Sequence, residues 1–154
     1  PKMLERTRAV AEKTHELSDF IVNVLGVTDL GANLPGGGLV TYHDACHLLR
    51  ELGVSKEPEA LLRGVAGLDY VELPEAATCC GFGGTFSIKH PEIAAEMASD
   101  KLRALRDSGC DALASADCGC LLNLNLMAKK EGHPLRGQHI ASLIRARMTG
   151  GPTR

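Results

Sequence analysis

GLVTYHDACH, residues 38–47, combines a short β-rich run with a cysteine that follows it. Residues 38–43 favour a β-strand because Val, Thr and Tyr are common in strands. Cys46 comes three residues later, where a loop is expected. Residues 31–38 are rich in Gly and Pro and are themselves predicted to form a loop. This stretch therefore predicts a first strand that delivers a reactive side chain at its carboxyl end.

Strand-like and helix-like segments alternate through the rest of the chain. Further strands are predicted at residues 68–73, 111–115 and 135–138, and helices at residues 58–65, 91–108, 121–130 and 140–148. The helix at 91–108 has the clearest pattern, because its apolar residues recur with a period of 3.6 and Gly109 follows its end. The alternation predicts an α/β fold: an open, Rossmann-like parallel sheet of about four strands with helices on both faces.

The chain divides into a lead-in and one globular unit. Residues 2–25 carry an apolar stripe at helical spacing, so residues 1–37 are predicted to be a helical lead-in followed by the Gly/Pro loop. Residues 38–150 are predicted to form a single cysteine-rich domain, as the length of 154 residues allows. The chain begins at Pro1 rather than Met, which suggests processing or a piece of a longer protein.

Composition excludes several classes of function. The net charge is −2, so no basic surface for nucleic acid is expected. No run of about 18 apolar residues is present, so no transmembrane segment is predicted. The first residues are charged, so no signal peptide is expected either, and a cytoplasmic location is predicted.

Six cysteines are the most informative feature of the composition. Cys79 and Cys80 are adjacent, and Cys118 and Cys120 flank one glycine. Adjacent cysteines rarely pair with each other because the resulting ring is strained. Clustered cysteines in a chain of this kind indicate metal ligands or redox groups rather than a disulfide framework. Cys110 is the exception, and is expected to be a small buried side chain.

Five cysteines follow the first three predicted strands: Cys46, Cys79, Cys80, Cys118 and Cys120. The carboxyl ends of parallel strands meet at one edge of a sheet, so the sequence predicts one thiolate site there. Crowded thiolates repel one another unless a metal or cluster neutralises them. An iron–sulfur cluster is the leading expectation, because cysteine thiolates hold such clusters. Zinc is an alternative occupant, although the usual paired CxxC spacing is absent. A metal-free thiol–disulfide site is a second alternative.

Two further interpretations receive weaker support. Cys46 has histidines on either side and could be an activated nucleophile. The run GFGG, residues 81–84, resembles a dinucleotide-binding loop, but no complete GxGxxG is present and Pro91 is expected to delay the next helix.

Other side chains are expected to surround the site without being its main ligands. The glycines Gly81, Gly83 and Gly84 would let the backbone approach a cluster and donate N–H groups to it. The remaining candidates are His43, His47, His139 and Arg50. Arg50 could offset cluster charge or hold a carboxylate. His15, His90 and His133 are expected at the surface.

Four motifs together resemble the cysteine-rich domain family whose hallmark is Cys-Cys-Gly. They are YHDACH (42–47), CCGFGGTF (79–86), ADCGCL (116–121) and HIA (139–141). The family occurs in heterodisulfide reductase, in the iron–sulfur subunit of glycolate oxidase and in anaerobic glycerol-3-phosphate dehydrogenase. The chain resembles the second of two such domains in iron–sulfur oxidoreductases of lactate utilisation.

The resemblance implies Cys46, Cys79, Cys80 and Cys120 as ligands of a 4Fe–4S-type cluster, which in some members is non-cubane. Cys118 matches imperfectly, because some members have Cys-x-x-Cys where this chain has Cys-x-Cys. The implied role is electron transfer in a complex that oxidises a 2-hydroxy acid such as lactate or glycolate, or chemistry like that of heterodisulfide reductase. The implied partners are flavin or further iron–sulfur subunits, with membrane association only through them. No complete active site is expected in this chain alone.

Overall fold

The sheet has four parallel strands in the order β2-β1-β3-β4, and the α/β prediction is confirmed. The computed structural model describes residues 2–74 and 76–148. The strands are β1 (Asn33–Tyr42), β2 (Ala66–Tyr70), β3 (Ala112–Ser115) and β4 (Gly137–His139). The helices are α1 (Lys2–Ala11), α2 (Leu17–Asp19), α3 (Lys56–Arg63), α4 (Thr85–Lys89), α5 (Pro91–Asp107), α6 (Cys118–Glu131) and α7 (Ile140–Arg145), with π-helical turns at Phe20–Val24 and Leu48–Leu52.

Helices cover both faces of the sheet. Leu113 of β3 packs into one buried cluster with residues of α5 and α6, including Leu102 and Leu124. The next residue, Ala114, packs into a second cluster with residues of α3 and α7. Successive strand residues point to opposite faces, so one strand contributes to both cores. The result is a three-layer arrangement, as predicted from the alternation of elements.

Strand β1 starts earlier than predicted, because the Gly/Pro segment is part of it. β1 begins at Asn33, and residues 33 and 38 pair with residues 66 and 68 of β2, so the register shifts between them. Gly36 and Gly37 have φ angles of 90° and 76°. Backbone at positive φ suits glycine and produces the irregular pairing. The expected domain start at residue 38 therefore lies inside β1.

The lead-in segment is divided into separate helices. α1 ends at Ala11, and α2 begins only at Leu17. The Glu16 carboxylate caps α2 by accepting the N–H groups of Ser18 and Asp19 at 2.7 and 3.2 Å. A side-chain cap of this kind starts a new helix where the apolar pattern predicted the old one to continue. No residue of α1 is buried.

The remaining elements follow the predicted order with shifted ends. The second strand ends at Tyr70 rather than at 73, and the last helix ends at Arg145 rather than at 148. α4 was not expected, and the proposed delay of the helix by Pro91 is wrong because α4 starts directly after Gly84. Within residues 2–74 and 76–148, no helix combines the length and apolarity needed to cross a bilayer. Residues 149 and 150, the end of the predicted domain, lie outside the described residues.

Candidate metal centre

The cysteine-bearing segments follow β1, β2 and β3, where the strand order reverses from one side of β1 to the other. β1 lies between β2, which follows it in sequence, and β3, which comes after β2. In open α/β sheets, ligands bind beyond the carboxyl ends of the strands at this kind of switch point. Cys46 follows β1, Cys79 and Cys80 follow β2, and α6 with its two cysteines follows β3 directly. The structure thus has the topology on which the predicted convergence depended.

Three buried side chains form the centre of the site: His43, Cys80 and Cys120. A ring nitrogen of His43 and the two Sγ atoms all lie within 4.8 Å of one another. The three residues are only 1%, 2% and 7% exposed, respectively. Two thiols and an imidazole are ligands that zinc and iron both accept. A cluster or single metal ion therefore fits the donor set.

The backbone of His43 is hydrogen-bonded to β3, whereas its imidazole ring makes no hydrogen bond of normal geometry to the described residues. Its N–H donates to the Ala114 carbonyl at 2.9 Å, and its carbonyl accepts from Ser115 Oγ at 3.1 Å. Both contacts tie the end of β1 to β3. Neither Nδ1 nor Nε2 has a hydrogen-bond partner among the described residues, although both atoms are buried. A buried polar atom without a partner costs free energy, so the ring is expected to have one when the site is loaded.

Cys120 lies in the first turn of α6, whereas the sequence predicted a loop before a helix at 121. Asp117 is the N-cap: its Oδ1 accepts the Cys120 N–H at 2.6 Å. Gly119 lies between the two cysteines, and a Cβ there would come within 2.6 Å of the Phe82 ring. Glycine at this position therefore lets Phe82 of the Cys-Cys-Gly loop pack against the start of α6.

The loop that carries Cys80 is clamped between two helices. Asn123 of α6 donates from Nδ2 to the Cys80 carbonyl at 2.8 Å. Gly81 has a φ of 82°, and a Cβ on it would lie 2.4 Å from the Ala94 carbonyl oxygen of α5. Only glycine allows this close approach. These contacts fix the position of the Cys80 sulfur relative to α6.

The two buried thiols share their charge unequally. The Cys120 thiol hydrogen-bonds to the Cys80 sulfur and lowers the pKa of Cys80 to about 4, an effect that burial opposes and the nearby His43 ring reinforces. The same contact with Cys80, together with burial, raises the pKa of Cys120. The contact between the two sulfurs thus favours a single proton held between them. A metal would replace the proton that they share.

The other predicted cysteines lie outside the three-residue group. Cys46 and Cys118 are exposed, and Cys79 is half-buried, with its Sγ accepting the Gly81 N–H at 3.4 Å. Cys110 is free and half-buried, and it precedes β3 at the opposite edge of the sheet. The exposed cysteines are accessible to a group that extends outward from the buried centre.

The remaining predicted residues have varied positions. His47 Nδ1 lies 3.6 Å from Asp117 Oδ2, which links it to the cap of α6. Arg50 is exposed in the second π-helical turn. His139 caps α7, with Nδ1 accepting the Ala141 N–H at 3.2 Å, and its Nε2 contacts the Ala116 carbonyl at 3.1 Å. Both ring nitrogens of His139 are thus engaged within the protein.

Gly83 and Gly84 differ from Gly81 in their surroundings. A Cβ on Gly83 would lie 2.8 Å from Phe86 Cβ, whereas a Cβ on Gly84 would meet nothing within 4 Å. Both have positive φ.

His133 was expected at the surface but is half-buried, and its Nδ1 accepts the Leu135 N–H at 3.0 Å. His15 and His90 are exposed, as expected.

Three residues near the site were not predicted as part of it. Asp117 carried a usable signal, since an Asp directly before a helical segment is typical of an N-cap. Asn123 carried none, because its partner Cys80 is 43 residues away. Asp44 has a buried Oδ1 with no hydrogen-bond partner in the part of the chain that the structure describes, and burial raises the pKa of its carboxyl group.

Comparison with known proteins agrees with the motifs. The sequence profile of the family described as CCG: Cysteine-rich domain matches residues 40–125. Lactate utilization protein A 1 of Bacillus cereus (strain AH820) is 46% identical over 147 residues, which cover 96% of this chain and 61% of that protein. Lactate utilization protein A of Bacillus thuringiensis (strain Al Hakam) gives the same identity and coverage. The chain thus spans about three fifths of the length of these curated relatives. The match to the profile and the extent of the identity show that this chain belongs to the CCG cysteine-rich domain family.

Proposed function

We propose that this domain binds an iron–sulfur cluster and carries electrons for an oxidoreductase that oxidises a 2-hydroxy acid, with lactate as the first candidate. One observation carries the proposal: a buried His43–Cys80–Cys120 group at the switch point of the sheet. Neither imidazole nitrogen of His43 meets a partner at hydrogen-bond distance within residues 2–74 and 76–148. The names of the relatives support lactate as the substrate of the complete system.

In this proposal the ligands are Cys46, Cys79, Cys80 and Cys120, with Cys118 as a fifth. A four-iron cluster is larger than one ion, so it extends from the buried sulfurs toward the exposed cysteines. The N–H groups of the glycine-rich loop are available to the cluster sulfides, and such hydrogen bonds set reduction potential. His47 and Arg50 are exposed, and the Arg50 guanidinium is available to offset the cluster's negative charge.

The cluster, when bound, supplies storage for single electrons. The protein contributes burial of two thiols and a rigid edge formed by β1, β3 and α6. Hydroxy-acid oxidation then takes place in a partner protein with a flavin or further clusters. We propose a cytoplasmic location, with membrane association only through such partners. Heterodisulfide-reductase-like and glycolate-oxidising systems are the related roles that the same site would serve.

Metal analysis of protein purified without oxygen tests the proposal. The expected result is iron and acid-labile sulfide in equal amounts, with a visible absorption band that bleaches on reduction. Protein prepared and reconstituted anaerobically that holds neither iron nor sulfide would contradict it.

A zinc site is the second candidate, and the close spacing of the three ligand atoms favours it. Atoms within 4.8 Å of one another suit a single tetrahedral ion. The same metal analysis would then find one zinc per colourless chain.

A metal-free thiol–disulfide protein is the third candidate, supported by the low pKa of Cys80. It requires rapid labelling of Cys79 or Cys80 in metal-free protein and turnover of a mixed disulfide.

A further inference from the structure

We infer that His43 is itself a metal ligand, so that the buried half of the centre is a mixed imidazole–thiolate site. The inference rests on the proposed metal-binding function and adds a ligand that the cysteine motifs do not contain. It assigns one ring nitrogen of His43 to the same metal atom as the sulfurs of Cys80 and Cys120. The sequence placed His43 near the site but not in contact with the metal.

Burial isolates the His43 ring from water. His43 is 1% exposed, and both ring nitrogens are buried without a hydrogen-bond partner among the described residues. A buried polar group without a partner costs free energy. His139 provides a contrast at the same edge of the sheet, since its two nitrogens are both engaged. The His43 ring therefore faces the Cys80 sulfur and meets no competing partner at hydrogen-bond distance among the described residues, which leaves a ring nitrogen available to a metal.

The three candidate ligand atoms are close enough together to share one metal atom. The nitrogen and the two sulfurs lie within 4.8 Å of one another. Two ligands of one tetrahedral ion are roughly 3.5–3.8 Å apart, given metal–sulfur and metal–nitrogen distances of about 2.3 and 2.0 Å. Small side-chain rotations would close the remaining gap. The backbone does not need to move, because Ala114 and Ser115 hold it.

The net charge of the bound metal and its ligands also favours an imidazole as the third ligand. Two thiolates and a neutral imidazole balance a divalent ion, whereas a third thiolate would leave a net negative charge at the site. Net charge is costly in a site whose three ligands are at most 7% exposed. A neutral third ligand is therefore the one that suits the buried side. For an iron–sulfur cluster, replacing thiolate by imidazole raises the reduction potential, as in Rieske centres.

Cobalt tests the inference without relying on a cluster. The reduced, metal-free 154-residue chain is titrated anaerobically with Co²⁺, followed by thiolate charge-transfer absorption and proton NMR of the complex. A cobalt-bound imidazole gives a strongly shifted N–H resonance. We expect that resonance in the wild-type chain and not in His43→Leu, whose affinity for Co²⁺ falls at least about tenfold. His43→Cys should also lack the resonance, and His90→Leu, at an exposed histidine, should match the wild type.

Thermal unfolding of each metal-free variant separates ligation from a packing role. The metal-free His43→Leu chain should still unfold in one cooperative transition, so that its weaker binding of Co²⁺ is not a loss of the fold. The inference is overturned if the wild-type chain binds no Co²⁺, if its complex lacks the shifted resonance, or if His43→Leu binds Co²⁺ as tightly as the wild type. Absence of iron and sulfide in anaerobic protein would instead sink the proposed function and leave a positive cobalt result standing.

Discussion

At the scale of single residues, Asp117 decides where the third cysteine loop becomes a helix. Its carboxylate accepts the Cys120 N–H, so the cap and a buried thiol belong to one structural unit. The same carboxylate lies 3.6 Å from His47. A change at Asp117 therefore acts on both the stability of α6 and the position of Cys120.

Replacing Asp117 by Ala should lower the free energy of unfolding of the metal-free protein by about 1 kcal/mol, because the cap is lost. Asp117→Asn should recover most of it, since Asn caps equally well. Urea denaturation measures both. Asp107→Ala, at the carboxyl end of α5, is the matched control and should be neutral. Equal stability of Asp117→Ala and the wild type would show that the cap contributes nothing.

Gly81 offers a second test at this scale. Gly81→Ala should destabilise the protein more than Gly84→Ala does, although both glycines have positive φ. The strain of positive φ costs roughly 1–2 kcal/mol for a residue with a Cβ. Only at Gly81 does that Cβ also meet a backbone oxygen, that of Ala94 at 2.4 Å. Equal denaturation midpoints for the two variants would rule out the close approach to α5.

Residue-level prediction from the sequence succeeded where the signal was local. The cysteine spacing indicated which thiols follow strands, and that needed only the alternation of elements. The pairing of His43 with Cys80 and Cys120 could not be read, because 37 and 77 positions separate them along the chain. Sequence proximity suggested Cys46 as the neighbour of His43, whereas the fold brings the later cysteines to its ring.

At the scale of elements, α5 is the best-predicted part of the molecule. The expected helix at 91–108 is observed at Pro91–Asp107, because its signals are all local: Pro at the first turn, an apolar stripe and Gly after the end. β1 shows the opposite case. Its glycine-rich half pairs with β2, and that pairing overrides the local preference for a loop.

The buried stripe of α5 supplies the element-scale prediction. Leu102→Ala should cost about 2–5 kcal/mol, because this side chain is fully buried against β3 and α6 and its removal leaves a cavity. Ile93→Ala is the control on the same helix, since Ile93 is 56% exposed, and should change stability by less than about 0.5 kcal/mol. Chemical denaturation compares the pair. Similar losses for both variants would mean that α5 packs by another face.

At the scale of the whole molecule, the strand order β2-β1-β3-β4 creates the site. β1 and β3 are adjacent, so the segments after them meet, and the loop after β2 reaches the same edge. The sequence predicted a parallel sheet and this convergence. It could not give the strand order, or the division into a buried group and exposed cysteines, since both depend on how the layers pack.

We propose that cysteines from the segments after β1, β2 and β3 bind one iron–sulfur cluster at this edge. The most direct test is the iron and acid-labile sulfide content of anaerobically reconstituted wild type, Cys80→Ser and Cys110→Ser. Cys110 lies at the opposite edge of the sheet, which makes it the matched control. We predict iron and sulfide in the wild type and in Cys110→Ser, and loss of both in Cys80→Ser. Equal contents in Cys80→Ser and wild type, or none in the wild type, would contradict the account.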